Sequence, residues 1–313
     1  MTNSIRVGVV GAGYLGSIHA RIYSDMPDVE LVGVFDTDVD RATSVAKEVD
    51  SVAVSSIEEL IQLVDAVSIA VPTSLHHEIA EPFIKAGKAL LIEKPVTSTV
   101  QQARKLVDLV DEHASSVLVG HVERYAPALL ALDERITKPR FIEVHRLSKF
   151  SGRATDVDVI TDLMIHDIDI ILSIFDEMPN RVDAVGSAVI TARTDIANVR
   201  LQFPCGAVAN VTASRVSQKQ FRRMRVFGPE GYFAVNFTDQ VLDSACMPAG
   251  GKSIEDLRID SEKVLGERPL QAELAHFAAV VRGEVSPKVT IAQGLRALEV
   301  VEMIQKQLSD VQI

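Results

Sequence analysis

Cysteine is scarce in this chain of 313 residues, where Cys205 and Cys246 are the only two. They stand neither in a CxxC pair nor at ligand-like spacing, which argues against a zinc site and suits a reducing cytoplasm. Long apolar runs are missing too. No stretch approaches the roughly 18–20 consecutive apolar residues of a transmembrane helix. The opening "MTNSIRVGVVGAG" lacks the layout of a signal peptide, because its apolar run leads straight into a glycine turn. Positive charge is in deficit: 32 Lys and Arg against 43 Asp and Glu leave a net charge of −11, which repels polyanions and argues against nucleic acid as a partner. There is no low-complexity segment and no internal repeat. What is present is an ordinary globular composition, 47% hydrophobic and 24% charged, in a chain long enough for two domains.

Residues 1–122 alternate short aliphatic strands with helical patterns. "IRVGVV" precedes a helix from about Tyr14, and "VELVGVFD" precedes "DRATSVAKEV". "AVSIAV", "ALLIEK" and "SVLVGH" continue the series. Strands that are apolar throughout, separated by helices, are the signature of a parallel sheet covered on both faces. After Pro127 the period changes. Val199, Leu201 and Phe203 alternate with Arg200 and Gln202, and Phe233, Val235 and Phe237 alternate with Ala234 and Asn236. Residues 123–313 therefore read as an α+β domain with a mostly antiparallel sheet, one face of it turned to solvent or to a partner. "QAELAHFAAVVRG" and "GLRALEVVEMIQKQL" read as helices in this second domain.

"VGAGYLG" places Gly11, Gly13 and Gly16 after a strand and at the mouth of a helix, and Asp36 follows at the end of the next strand. That is the full context of dinucleotide binding. Glycines let the backbone approach a pyrophosphate, and the helix start through Tyr14 and Leu15 offers unpaired N–H groups. Asp36 accepts hydrogen bonds from the adenosine ribose, and its charge disfavours a 2′-phosphate, so NAD is expected over NADP; Arg41 nearby leaves some room for NADP. "VPTSLHHEIA" follows the third strand and puts Pro72 and Thr73 at the cofactor crevice, with His76 just inside the next helix. "LLIEKP" is the next parallel strand and delivers Glu93 and Lys94 to the same rim. Pro95 keeps Lys94 out of α geometry. A lysine so restrained can have its pKa lowered by desolvation or can donate to a developing alkoxide.

"DLMIHDIDIIL" reads as a helix in which Asp162, His166 and Asp169 share one face, with Asp167 pointing elsewhere to the surface or a cap. Three readings compete: a metal site of two carboxylates and a histidine, a structural Asp–His pair, and a catalytic pair in which the carboxylate raises the basicity of the imidazole. The catalytic pair is adopted, with no metal. Cations cluster at Arg146, Lys149 and Arg153, and again at Arg215, Lys219, Arg222, Arg223 and Arg225. Guanidinium forks suit diphosphates, against the alternative of a solvated sheet face.

Taken in order, "VGAGYLG", "VPTSLHH", "AGKALLIEKP", "DLMIHDID" and "RPLQAELAHFAAVVRGE" resemble the Gfo/Idh/MocA oxidoreductases over nearly the whole chain. The resemblance implies a Rossmann domain, then an α+β domain whose open sheet mediates contacts in a homodimer or homotetramer. It implies that Lys94, Asp162 and His166 surround a substrate hydroxyl that loses hydride to NAD, and that the Lys94–Pro95 bond is cis. "GHVERYAPAL" and "RLSKFSGRATDVDVITDLMIHDIDI" are similar to the branch that oxidises the 3-hydroxyl of UDP-N-acetylglucosamine or its uronic acid, and "ASRVSQKQFRRMRVFGPEGY" also resembles that branch, particularly members that prepare a 3-amino sugar for lipid A. Where that branch commonly carries E-R-F-N-P, this chain has Glu123-Arg124-Tyr125-Ala126-Pro127, and the potential polar contact of the Asn is lost at Ala126. On this reading Glu123 joins the cofactor set, and Arg124, Tyr125, Arg146, Arg153 and Arg215 join Lys94, Asp162 and His166 around the substrate. A dehydrogenase of a free sugar or inositol, and a non-catalytic NAD-binding regulator, are the alternatives.

Overall fold

The computed structural model describes residues 4–152, 157–248, 250–251 and 253–310. They form two compact units, one of residues up to Val122 with Leu270–Leu295, the other of Glu123–Pro269 with residues from Arg296 on.

The first unit is built on five parallel strands, β1 (Ile5–Val10), β2 (Val29–Phe35), β3 (Ala66–Ile69), β4 (Ala89–Glu93) and β5 (Val117–Gly120), in the order β2-β1-β3-β4-β5. Helices α1 (Tyr14–Ser24), α2 (Val39–Glu48), α3 (Ile57–Leu63), α4 (His76–Lys85) and α5 (Val100–His113) connect them. Their starts obey local chemistry: Asp38, Ser56 and Thr99 cap α2, α3 and α5 by accepting a backbone N–H three residues on. Helix α1 has no side-chain cap and no acid in its first turn. The strand order reverses between β1 and β3, and ligands of open parallel sheets bind at such a reversal, beyond the carboxyl ends of the strands.

Residues 270–295, expected in the second domain, belong to this first unit. Apolar packing accounts for the difference. Leu274, Phe277, Ala278 and Val280 of α6 (Pro269–Val281, numbered here with the unit it joins) are buried in one cluster with Val7, Val9, Leu91 and Leu118. Val119 donates its N–H to Val289 at 3.1 Å, which ties the following loop to β5.

The second unit holds an eight-stranded sheet in the order β13-β12-β11-β10-β6-β9-β8-β7. Its strands are β6 (Phe141–Leu147), β7 (Arg181–Ser187), β8 (Ile196–Gln202), β9 (Val208–Ser214), β10 (Phe221–Gly228), β11 (Gly231–Asn236), β12 (Val241–Cys246) and β13 (Arg258–Lys263). All neighbours are antiparallel except β6 and β9. Alternation decides the faces: Ile142, Val144, Val199, Leu201, Met224, Val226 and Val235 are buried together with Ile160, Met164, Ile165, Ile168 and Ile171. Those last residues come from a π turn (Ile160–Met164) that continues into α7 (Ile165–Phe175). A short helix α8 (Pro127–Asp133) and the later part of α9 (Ile291–Asp310) complete this core. Among the described residues no helix is long and apolar enough to cross a membrane.

Candidate active site

The three glycines of the first turn serve three different ends. Gly11 has φ +97°, and a Cβ there would lie 2.5 Å from the Ala70 carbonyl oxygen. A Cβ on Gly16 would meet the Gly11 carbonyl oxygen at 1.6 Å, so only glycine lets α1 pack on its own turn. At Gly13 a Cβ would touch nothing within 4 Å, so the space it would occupy is open. That space adjoins a cavity of about 330 Å³ whose lining includes Gly11, Gly13, Asp36, Arg41, Val71 and Pro72, the carboxyl ends of β1, β2 and β3. Asp36 Oδ2 accepts the Ala12 N–H at 2.7 Å and Oδ1 accepts the Asp38 N–H at 2.9 Å, so the carboxylate also holds the glycine turn in place. Arg41 stands 3.8 Å from Asp36 and 3.1 Å from Asp38. Tyr14 and Leu15 are exposed at the start of α1, and Thr73 opens a short 3₁₀ turn beside Pro72. An open cradle at Gly13, an uncapped helix and a carboxylate at the end of β2 together fit a dinucleotide.

Lys94 follows β4 directly, half-buried, and the Lys94–Pro95 peptide is cis, as the family resemblance implies. Two neighbours differ from expectation. Glu93 is buried and lies 3.2 Å from His19 Nε2. Burial pushes its carboxyl upward, but the His19 hydrogen bond, then the charges of His19 and Lys94, outweigh that and hold it below the usual carboxylate range. Its carboxylate is therefore held charged against His19 at the end of β4. His76 is likewise buried, with Nδ1 2.9 Å from the Pro95 carbonyl oxygen and Nε2 3.0 Å from that of Val71. A neutral ring has one N–H, which donates to one of these two carbonyls, so His76 bridges the loop after β3 and the segment after β4. Burial pulls its pKa down, against the pull of those two carbonyls. Its place at the start of α4 reads in sequence as a ligand position, and nothing local announces the two carbonyls.

In the second unit, Asp158 starts the π turn by accepting the Thr161 N–H at 2.8 Å, and Gln305 of α9 donates to the same carboxylate at 2.7 Å. Asp162 lies within the π turn and His166 within α7, both half-buried. Asp167, expected at the surface or a cap, is fully buried. Burial pushes its carboxyl upward, opposed by a two-pronged ion pair with Arg146 at 2.7 and 2.8 Å. Arg146 also donates to Glu123 at 2.7 Å. Burial opposes its charge, but Asp167 and Glu123 together keep it firmly protonated.

That network reassigns several residues. Arg146 is saturated by two carboxylates and is not a diphosphate ligand, and Glu123 is one of its partners. Arg124 is buried against Asp169, 3.4 Å away, and Tyr125 is buried as well, so neither is presented to a substrate. Arg215 is buried and gives Nε to Asp195 at 2.9 Å and Nη2 to the Val157 carbonyl oxygen at 2.6 Å. It nevertheless contributes to the wall of a cavity of about 650 Å³ together with Asp162, Lys149, Phe150, Lys219 and Arg222. Arg153 lies outside the described residues. Lys94 belongs to the first unit, and Asp162 and His166 to the second. Among the described residues no group of three or more His, Cys, Asp or Glu side chains is arranged to hold a metal ion.

Comparison with known proteins agrees with this layout. Residues 5–121 match the Gfo/Idh/MocA family model described as an oxidoreductase family with an NAD-binding Rossmann fold, and residues 133–234 match the Gfo/Idh/MocA C-terminal domain. The chain is 38% identical over 275 residues to a UDP-N-acetylglucosamine 3-dehydrogenase from Acidithiobacillus ferrooxidans, covering 87% of each. A crystal form of the enzyme of that name from the same organism superposes with a TM-score of 0.92 over 98% of both chains, at 34% identity. An inositol 2-dehydrogenase from Rhizobium meliloti is 29% identical over 249 residues, 74% of this chain and 75% of the relative.

Proposed function

This chain belongs to the Gfo/Idh/MocA oxidoreductase family, acting on CH–OH groups with NAD as cofactor, and from that premise we propose that it oxidises the 3-hydroxyl of UDP-N-acetylglucosamine to the 3-keto sugar. The observation that carries the choice of sugar is the likeness to the 3-dehydrogenase, which extends over both units and is greater than the likeness to the inositol enzyme.

NAD, when bound, supplies the acceptor for the hydride of the sugar carbon. The chain's own residues do the rest. Gly11, Gly13, Gly16 and the start of α1 receive the pyrophosphate, and Asp36 receives the ribose hydroxyls. Lys94, fixed between Glu93 and Pro95, and His166 both hydrogen-bond to the C3 hydroxyl. As hydride leaves C3 one of these two takes the hydroxyl proton, and Asp162 stabilises the imidazole when it is the charged group. Prearranged charge of this kind supplies most of the acceleration, with the positioning of the hydroxyl. The 3-keto product is the substrate class of an aminotransferase, which suits a route to a 3-amino sugar of lipid A or a surface polysaccharide. A cytoplasmic setting suits the two free cysteines, one of them exposed. The outward sheet face, where Phe221, Arg223, Arg225 and Tyr232 border a cavity of about 300 Å³, is assigned to contacts between copies of the chain.

UDP-N-acetylglucosamine deuterated at C3 tests the reading. Deuterium recovered in NADH by mass spectrometry supports it; turnover that leaves the label in the sugar, or no turnover, overturns it. The inositol relative supports a second reading, a cyclic-polyol dehydrogenase, which the same assay with myo-inositol separates.

A further inference from the structure

Strand β10 divides the second arginine cluster between two faces. Arg223 and Arg225 point outward and pair with Asp243 and Glu143. Arg222 is on the opposite, inward side, in register with Arg146 of β6. Like charges directly opposite on neighbouring strands repel unless anions separate them. Here the anions are unequally shared. Arg146 takes both oxygens of Asp167 and also Oε1 of Glu123 at 2.7 Å, whereas Arg222 reaches the same Glu123 oxygen at 3.6 Å as its one ion-pair contact among the described residues. Its Nε is buried with no hydrogen-bond partner among the described residues. Burial, and next the Arg146 charge, pull its pKa below the ordinary arginine value.

Arg222 lines the cavity of about 650 Å³ that also holds Asp162. Among the described residues four cations, Lys149, Arg215, Lys219 and Arg222, border it against that one carboxylate. The charge of Arg215 is already met by Asp195, while Lys149 and Lys219 are exposed. In a chain of net charge −11 this is a local excess of positive charge around one under-paired guanidinium. Phe150, 40% exposed, adds a ring at the same cavity.

We infer that this cavity is the nucleoside-diphosphate subsite, in which Arg222 binds the diphosphate with Lys149 and Lys219 and Phe150 covers the base. The inference rests on the nucleotide-sugar reading above and gives its anion-binding role to residues other than Arg146 and Arg215. A diphosphate supplies the charge that Glu123 cannot share between two guanidiniums, and a guanidinium fork matches its oxygens.

Calorimetric titration of the full chain, saturated with NAD, with UDP and then UDP-N-acetylglucosamine tests it. R222M is expected to weaken UDP binding by about ten- to a hundredfold, the scale of charged hydrogen bonds lost. The double variant K149M/K219M is expected to weaken it less and to flatten its salt dependence. R223M, on the other face, is expected to bind UDP like the wild type. NAD binding checks that each variant is folded; if R222M fails that check, the double variant decides. Wild-type affinity for UDP in the folded cavity variants, or a wild type that does not bind UDP at millimolar concentration, overturns the subsite. UDP binding that depends on Arg222 without NADH formation from UDP-N-acetylglucosamine keeps the subsite and removes the 3-oxidation. NADH formation indifferent to Arg222 does the reverse.

Discussion

Gly13 and Gly16 occupy one turn but answer to different constraints, and substitution separates them. Gly16→Ala forces a Cβ against backbone 1.6 Å away, so the first unit is expected to lose stability together with NAD binding. Gly13→Ala meets no atom within 4 Å, so the thermal midpoint is expected to hold while NAD affinity falls by about tenfold, because the methyl stands where the pyrophosphate belongs. Calorimetric melts paired with NAD titrations check both outcomes. Lys94→Met is expected to lower kcat by about 10²–10⁴-fold, the usual yield of a positioned acid or base, with NAD affinity retained. His166→Asn is expected to fall in the same range. The pH–rate profiles of the two variants identify the proton acceptor: the acidic limb of the profile disappears with whichever group carries it. Much of this was legible in the sequence, because a glycine turn between an apolar strand and a helix, and a lysine held before proline, are local patterns. Arg146 was not. An arginine paired with Asp167 and Glu123 reads in sequence like one waiting for phosphate, since its partners are 21 and 23 residues away. A signal did exist. Asp167 sits among Ile165, Ile168, Ile170 and Ile171 in a helix apolar nearly all round, and a carboxylate in such surroundings must find a cation.

Two elements are held by a single polar side chain each. His76 joins the loop after β3 to the segment after β4, and its pKa is lowered from 6.5 chiefly by burial. A histidine whose folded value lies below its unfolded value leaves the folded chain with fewer bound protons than the unfolded chain. Stability therefore falls as the pH drops below 6.5 toward the lowered value. His76→Leu is expected to cost about 1–3 kcal/mol near neutral pH, through a carbonyl left without its donor. It is also expected to reduce the fall in stability on acidification, as urea unfolding across that pH window would measure. Asp195 does similar work between β7 and β8. One of its oxygens accepts the N–H groups of Val189, Ile190 and Thr191 at 2.6–2.8 Å, and the other accepts the Thr191 hydroxyl and Arg215 Nε. Asp195→Ala is expected to destabilise the second unit by about 3–5 kcal/mol, because Arg215 then stays buried without its anion. At this scale the strands were legible from their period. The π turn was not legible, since its residues carry the same apolar spacing as the α-helix that follows.

At the scale of the molecule, the parallel sheet and the mostly antiparallel sheet followed from apolar runs in one half and alternation in the other. The return of 270–295 to the first unit did not. Leu274 and Phe277 are ordinary helix-core residues, and only their burial against Val7, Val9 and Leu118 shows which sheet they cover. The chain thus combines an NAD crevice at the strand-order reversal of one unit with a positively charged cavity beside Asp162 in the other. The most direct measurement of the resulting account is the initial rate of NADH formation by the purified chain with UDP-N-acetylglucosamine, free N-acetylglucosamine and myo-inositol. The account predicts the highest kcat/KM for the nucleotide sugar, abolished in Lys94→Met. Equal or greater kcat/KM for the free sugar or the polyol, or NADH formation that survives the loss of Lys94, would contradict it.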